Sequence, residues 1–304
     1  MPVIPSLASS SVVPPPAATY PVRTVAGIDV VDLPGGLFVM GGSRDSDAPA
    51  HWVQVSGFSM GRTPVTEAQY GSVIAREIKE GRQGHPVVRV SALEADQFIA
   101  RFNEINGTQF GSPTEAKWEY AARGEVVNLR DLMAAEGINE SSFADWAERR
   151  FDNLFAHCLG STIYGDPKSE AFQKILKSAA RIYGYCMFGH PEGLNGGKVW
   201  YNKGGITSVM DGAAARRANS FGLIDMIGNV WEWVADRYDV SAYRTLSPIN
   251  PVNMTSEKKR VYRGGSGFFD SPGDMRADYR GYSRPDGRYI NLGFRLALPA
   301  SQDS

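Results

Sequence analysis

Phe221-Gly-Leu-Ile-Asp-Met-Ile-Gly-Asn-Val-Trp-Glu-Trp233 mixes apolar residues, turn-forming Gly and Asn, and two tryptophans with neither helical nor alternating period. Tryptophans offer a large apolar body with one polar handle, the usual material of a core. Glycines among them allow tight turns or close backbone approach. The stretch therefore reads as irregular backbone threaded through a core. Residues after Trp200 share this character, rich in Gly, Asn, Asp and aromatics.

Upstream the signals are more regular. Ile28–Leu33, Leu37–Met40, Trp52–Val55 and Phe58–Met60 are short extended segments bounded by Gly, Pro, Asp or Ser. Three helix starts follow. Thr66-Glu-Ala-Gln69 is a capping box, with Gly81 as the expected stop. Ser91-Ala-Leu-Glu94 is a second, leading into Phe98, Phe102 and Ile105 at helical spacing. Ser112-Pro-Thr-Glu115 is a third, with Pro113 at the first helical position and Gly124 as the stop. Residues 125–198 read as a helical insertion, and residues 1–22 as a flexible Pro-rich arm. The expected class is α+β, one domain over 23–304.

Composition narrows the function. The 304 residues carry 32 basic and 33 acidic side chains, a balance that argues against nucleic-acid binding by bulk charge. No apolar run reaches the roughly 20 residues a membrane span needs. No secretory signal is legible, so the expected location is the cytoplasm, unless a partner carries the chain on a phage particle or cell surface. Two cysteines, Cys158 and Cys186, are too few for a disulfide scaffold.

The opening stretch joins five other phrases: Gly36-Leu-Phe-Val-Met-Gly41, Thr63-Pro-Val-Thr-Glu-Ala-Gln-Tyr70, Pro113-Thr-Glu-Ala-Lys-Trp-Glu-Tyr-Ala-Ala-Arg-Gly124, Arg263-Gly-Gly-Ser266 and Asn291-Leu-Gly-Phe-Arg295. In this order they resemble the formylglycine-generating-enzyme, or sulfatase-modifying-factor, superfamily, a variant of the C-type lectin fold. The oxidases of that family carry a copper-binding cysteine pair soon after the Gly-Gly-Ser phrase, and thiolates suit Cu(I). Here Phe269 and Asp274 stand where those cysteines would be expected. The related iron-dependent enzymes need an N-terminal helical domain supplying histidines, whereas His51, His85, His157 and His190 lack metal-ligand spacing. No catalytic residue is assigned, no cofactor is required, and the expectation is a protein that is not an enzyme. The resemblance also implies a structural calcium, held by the carboxylates of Asp225 and Glu232 with the carbonyls of Gly228 and Val230. The competing account is that Asp225 caps a turn and Glu232 pairs with an arginine.

Residues 263–298 are the most informative. They resemble the variable region of proteins diversified by retroelements, in which adenines of AAC codons are mutated between fixed framework positions. Such codons keep their final C and never encode Lys, Glu, Gln, Met or Trp. The candidate variable positions are Gly267, Phe268, Phe269, Asp270, Ser271, Asp274, Asp278, Tyr279, Gly281, Tyr282, Ser283, Asp286, Gly287, Tyr289 and Ile290, all of permitted types. The framework would be the Arg263 and Asn291 phrases together with Arg276, Arg280, Arg284, Pro285 and Arg288. The chain has 46 residues of the forbidden types, so about five belong in this 36-residue window by proportion, yet only Met275 occurs. Tyr, Ser, Gly and Asp suit an adaptable contact surface, as in antibody loops. The expected function is recognition of an unidentified protein or surface ligand through this region. The alternatives are an oxidase of the formylglycine-generating type with an unrecognised site, or an assembly protein of a larger particle.

Overall fold

The computed structural model describes residues 20–42, 45–49, 51–123, 205–210, 218–219, 221–255, 258–268, 270 and 274–300. The expected helical insertion and nearly all of the arm lie outside these residues.

The four expected extended segments are strands. They are β2 (Ile28–Leu33), β3 (Gly36–Met40), β4 (His51–Val55) and β5 (Phe58–Gly61), preceded by β1 (Val22–Val25). Strands β3 and β4 form a separate antiparallel pair. The other N-terminal strands join a sheet of order β1-β2-β5-β10, closed by the C-terminal strand β10 (Ala297–Pro299). A second four-stranded sheet has the order β8-β7-β6-β9, built from β6 (Trp231–Arg237), β7 (Arg260–Arg263), β8 (Gly281–Ser283) and β9 (Leu292–Phe294). Within it β6 and β9 run parallel, pairing Trp231 with Leu292 and Trp233 with Phe294. The class is α+β, as expected.

Two capping boxes form as the sequence indicates. Thr66 opens α1 (Glu67–Val73) and Ser91 opens α2 (Ala92–Asn106), each with both reciprocal hydrogen bonds. Helix α1 ends well before Gly81, because Ile74 turns extended at φ −107° and ψ 113°. The following residues are mostly exposed and charged, so a longer helix would have no apolar face to bury. Helix α2 packs Phe98 and Phe102 inward as expected, but Ile105 is 60% exposed and Ile99 takes its place in the core. The third helix, α3 (Glu115–Arg123), starts later than expected. Thr114 Oγ1, not Ser112, accepts from the backbone N–H of Lys117 at 3.2 Å. That shift leaves Glu115 buried inside the first turn. A short α4 (Ala242–Thr245) follows β6.

The opening stretch of sequence lies between these layers. Phe221, Leu223, Met226 and Ile227 join Trp118 and Tyr120 of α3 in one core cluster. Trp231 and Trp233 join Phe98, Phe102, Leu292 and Phe294 in a second. Both turn residues Asp225 and Asn229 take left-handed backbone, at φ 55° and 61°.

Candidate functional site

The candidate surface rests on a buried ionic platform. Helix α3 carries Glu115 and Glu119 one turn apart, so both carboxylates face the same side. Arg263 at the end of β7 donates to Glu115 at 3.1 Å and to Glu119, while its Nη groups also reach the carbonyls of Ala277 and Asp278. Arg280 binds Glu115 with Nε at 2.8 Å and Nη2 at 3.1 Å. Arg123 donates to the other oxygen of Glu119, which also accepts from the Gly41 N–H at 2.8 Å. Burial pushes the Glu119 carboxyl upward, but Arg123 and Arg263 outweigh it and hold it below the ordinary range. Asp236 accepts from the N–H groups of Glu115 at 2.6 Å and Asn253 at 2.8 Å. Burial, and then the charge of Glu115, push its carboxyl up to about 7.

The backbone from Arg263 to Arg295 is thus anchored by guanidinium groups. Arg276 pairs with Asp45 and, at 3.0 Å, with Asp278. Arg288 reaches Glu94 on α2 with a two-pronged contact of 2.7 and 2.9 Å. Arg295 grips Glu232 from Nε at 3.0 Å and Nη2 at 2.8 Å. Gly264 at φ +107° lets the turn after β7 pass Trp118, where an added Cβ would stand 3.0 Å from the ring.

Over this platform thirteen of the fifteen candidate positions are described, and they divide into three groups. Tyr282, Asp286, Tyr289 and Ile290 are exposed, with Ser283 and Gly287 half-buried between them. Ser283 Oγ and the Tyr289 hydroxyl lie 2.5 Å apart. Phe268, Asp270, Asp274 and Tyr279 are half-buried, and Asp270 accepts from the N–H and hydroxyl of Ser266 at 2.7 and 2.5 Å. Gly267, Asp278 and Gly281 are buried, so they present no side chain to solvent. A Cβ on Gly281 would sit 2.0 Å from the Tyr262 ring. Phe269 and Ser271 lie outside the described residues.

Beside the exposed group runs a groove of about 780 Å³, lined by Leu93, Lys258, Lys259, Tyr282, Ser283, Arg284, Pro285 and Asp286. Sequence reasoning missed Leu93 and both lysines, because Leu93 belongs to the first turn of α2, distant in the chain from the 263–298 window.

Of the candidate calcium residues, Glu232 and Asp225 both have protein partners. Both oxygens of Glu232 are bound by Arg295, and one also accepts from the Trp118 indole at 2.8 Å. A guanidinium already supplies the positive charge that a cation would bring. Asp225 accepts from the Asn229 amide at 2.8 Å, and among the described residues no group of three or more His, Cys, Asp or Glu could hold a metal. Glu232 is ion-paired with Arg295.

The model of the sulfatase-modifying factor enzyme 1-like domain matches residues 17–153 and 177–300. The chain belongs to this family. Residues 154–176 fall between the matched segments. Members of the family include the mouse formylglycine-generating enzyme, 23% identical over 93% of this chain and 78% of that protein. The hercynine oxygenase of Mycolicibacterium smegmatis is 26% identical over 90% of this chain, which spans 61% of that protein's length. The same fold occurs in Treponema denticola variable protein 1, with a TM-score of 0.56, 18% identity, and coverage of 92% of this chain and 98% of that one. The chain's two cysteines, Cys158 and Cys186, both lie outside the described residues.

Proposed function

We propose that the chain is a non-enzymatic recognition protein whose 282–290 face is a variable surface diversified by a retroelement. One observation carries this reading. The exposed side chains of the window are all types an AAC-derived codon can encode, while the backbone beneath them is fixed by the buried guanidinium groups of Arg263, Arg276, Arg280 and Arg295. A scaffold that tolerates changing side chains needs its backbone determined elsewhere, and buried ion pairs out of reach of the ligand do that. A protein described as a variable protein shares the fold, which suits this use of it. The coding neighbourhood tests the proposal. A near-copy of the 263–298 coding segment with AAC at the candidate positions, beside a reverse transcriptase gene, is expected. A neighbourhood lacking both refutes it.

The family's named enzymes favour a second reading, an oxidase of the formylglycine-generating type. Incubating the chain with copper and a cysteine-containing peptide separates the two. Turnover would support the oxidase, and no turnover is expected under the recognition reading.

A further inference from the structure

We propose that the groove beside β8 takes an acidic peptide segment that places an apolar side chain next to a carboxylate. This rests on reading the 282–290 face as a recognition surface and names the class of ligand it would take. The floor is apolar, from Leu93 at 46% exposed, Pro285 and the ring of Tyr282 at 40% exposed. The rim is cationic. Lys258 and Lys259 are exposed and have no ion-pair partner among the described residues. Arg284 and Asp286 neutralise each other through contacts of 3.1 and 2.8 Å, so the net charge of the lining comes from the two lysines.

The floor is also preorganised. Tyr282 stacks on Tyr238 at 3.8 Å between centroids, and the Tyr238 hydroxyl is held by Asp47 at 2.9 Å. Lys259 Nζ sits 4.2 Å from the Tyr282 centroid, a cation–π contact that keeps the ammonium beside the groove.

Carboxylate chemistry fits better than a polyanion. Two lysines on a chain of net charge −1 fall well short of the roughly 6–10 phosphate contacts of a nucleic-acid site. A phosphate favours a guanidinium fork, and Arg284's fork is taken by Asp286. Lysine, moreover, cannot arise from a mutated AAC codon. The cationic rim is therefore constant, whereas Tyr282, Ser283 and Asp286 belong to the changeable set. The two lysines thus supply positive charge whatever the changeable positions carry.

Panning a library of random dodecapeptides on the full chain tests this. Selected sequences are expected to be enriched in Asp or Glu beside Leu, Phe, Tyr or Trp. The best synthetic peptide is then measured by fluorescence anisotropy at low and high salt. Lys258→Ala with Lys259→Ala is expected to weaken binding by about tenfold or more and to flatten its salt dependence. Lys258→Arg with Lys259→Arg is expected to retain binding. Both pairs change exposed side chains, and unaltered thermal melts confirm that they fold. A library without acidic enrichment, a smaller loss in the alanine pair, or tighter binding of a heparin oligosaccharide than of the peptide overturns the inference. If Tyr282→Ala and Tyr289→Ala abolish capture while the alanine pair does not, the recognition surface stands and the acidic preference falls. If the gene neighbourhood lacks a template repeat but charge-dependent peptide binding remains, the groove stands and the retroelement reading falls.

Discussion

Arg263 is fully buried and bridges two glutamates that are buried with it. Its replacement by Met would leave Glu115 and Glu119 partly uncompensated in a low-dielectric interior. The expected cost is about 3–5 kcal/mol, measured by urea unfolding. A loss below about 1 kcal/mol would mean that Arg123 and Arg280 carry both carboxylates unaided. Asp236 predicts the opposite kind of effect. Pushed up to about 7, its carboxyl lies well above the ordinary value of 3.8, so the folded state holds a proton that the unfolded state releases. Its contribution is complete below about pH 4 and is lost as pH rises through 7. Glu94 works in reverse. Its pair with Arg288 lowers it from 4.5 to about 2, so its contribution is present above pH 4.5 and lost as pH falls towards 2. Stability is thus expected to decline between about pH 4 and 7 in the native chain, and to decline less in Asp236→Asn. Equal slopes in the two proteins would remove Asp236 from this account.

At the scale of elements, β9 passes close to the backbone of Val87 at Gly293. An added Cβ there would lie 2.3 Å from the carbonyl oxygen of Val87. Gly293→Ala is therefore expected to destabilise by about 1–3 kcal/mol, read as a lower midpoint in denaturant. Ser91→Ala removes the hydroxyl that caps α2 and should cost about 1 kcal/mol. That cap was legible in the sequence because a capping box is complete within four residues. Strands β2 to β5 were legible for the same local reason, turn residues bounding short apolar runs. Ile105 was misplaced because periodicity marks a stripe without saying where the neighbouring layer ends. Glu115 looked like the closing residue of a capping box, yet it is the partner of arginines 148 and 165 positions away. Nothing local encodes such a pair, and the groove between Leu93 and Lys258 was illegible for that reason too. The candidate surface is marked by residue types alone, a signal that needs no geometry. Even so, composition could not separate exposed Tyr289 from buried Asp278 and Gly281.

For the molecule as a whole, the division between buried ionic platform and exposed face makes a direct prediction. Changing Asp286, Tyr289 and Ile290 together to Ser is expected to shift Tm by only a few degrees, because exposed substitutions away from special features cost little. Arg280→Ala is expected to lower Tm by considerably more, since it strips Glu115 of its two-pronged partner. Differential scanning calorimetry of the two variants distinguishes a tolerant face from one that the fold requires. If the triple variant melts as low as the arginine variant, the face is structural.

The order of strands carries one more consequence. Both β9 and β10 follow the 267–290 segment in the chain, yet β9 completes one sheet beside β6 and β10 completes the other beside β5. Neither sheet can finish until that segment has been translated in the correct frame. An insertion or deletion of one nucleotide within it would scramble Leu292–Phe294 and Ala297–Pro299, and with them Arg295, whose side chain also binds the carbonyls of Gly61, Arg62 and Ile224. Folding therefore acts as an inspector of reading frame: only chains with an intact frame through the segment can bring it to the surface.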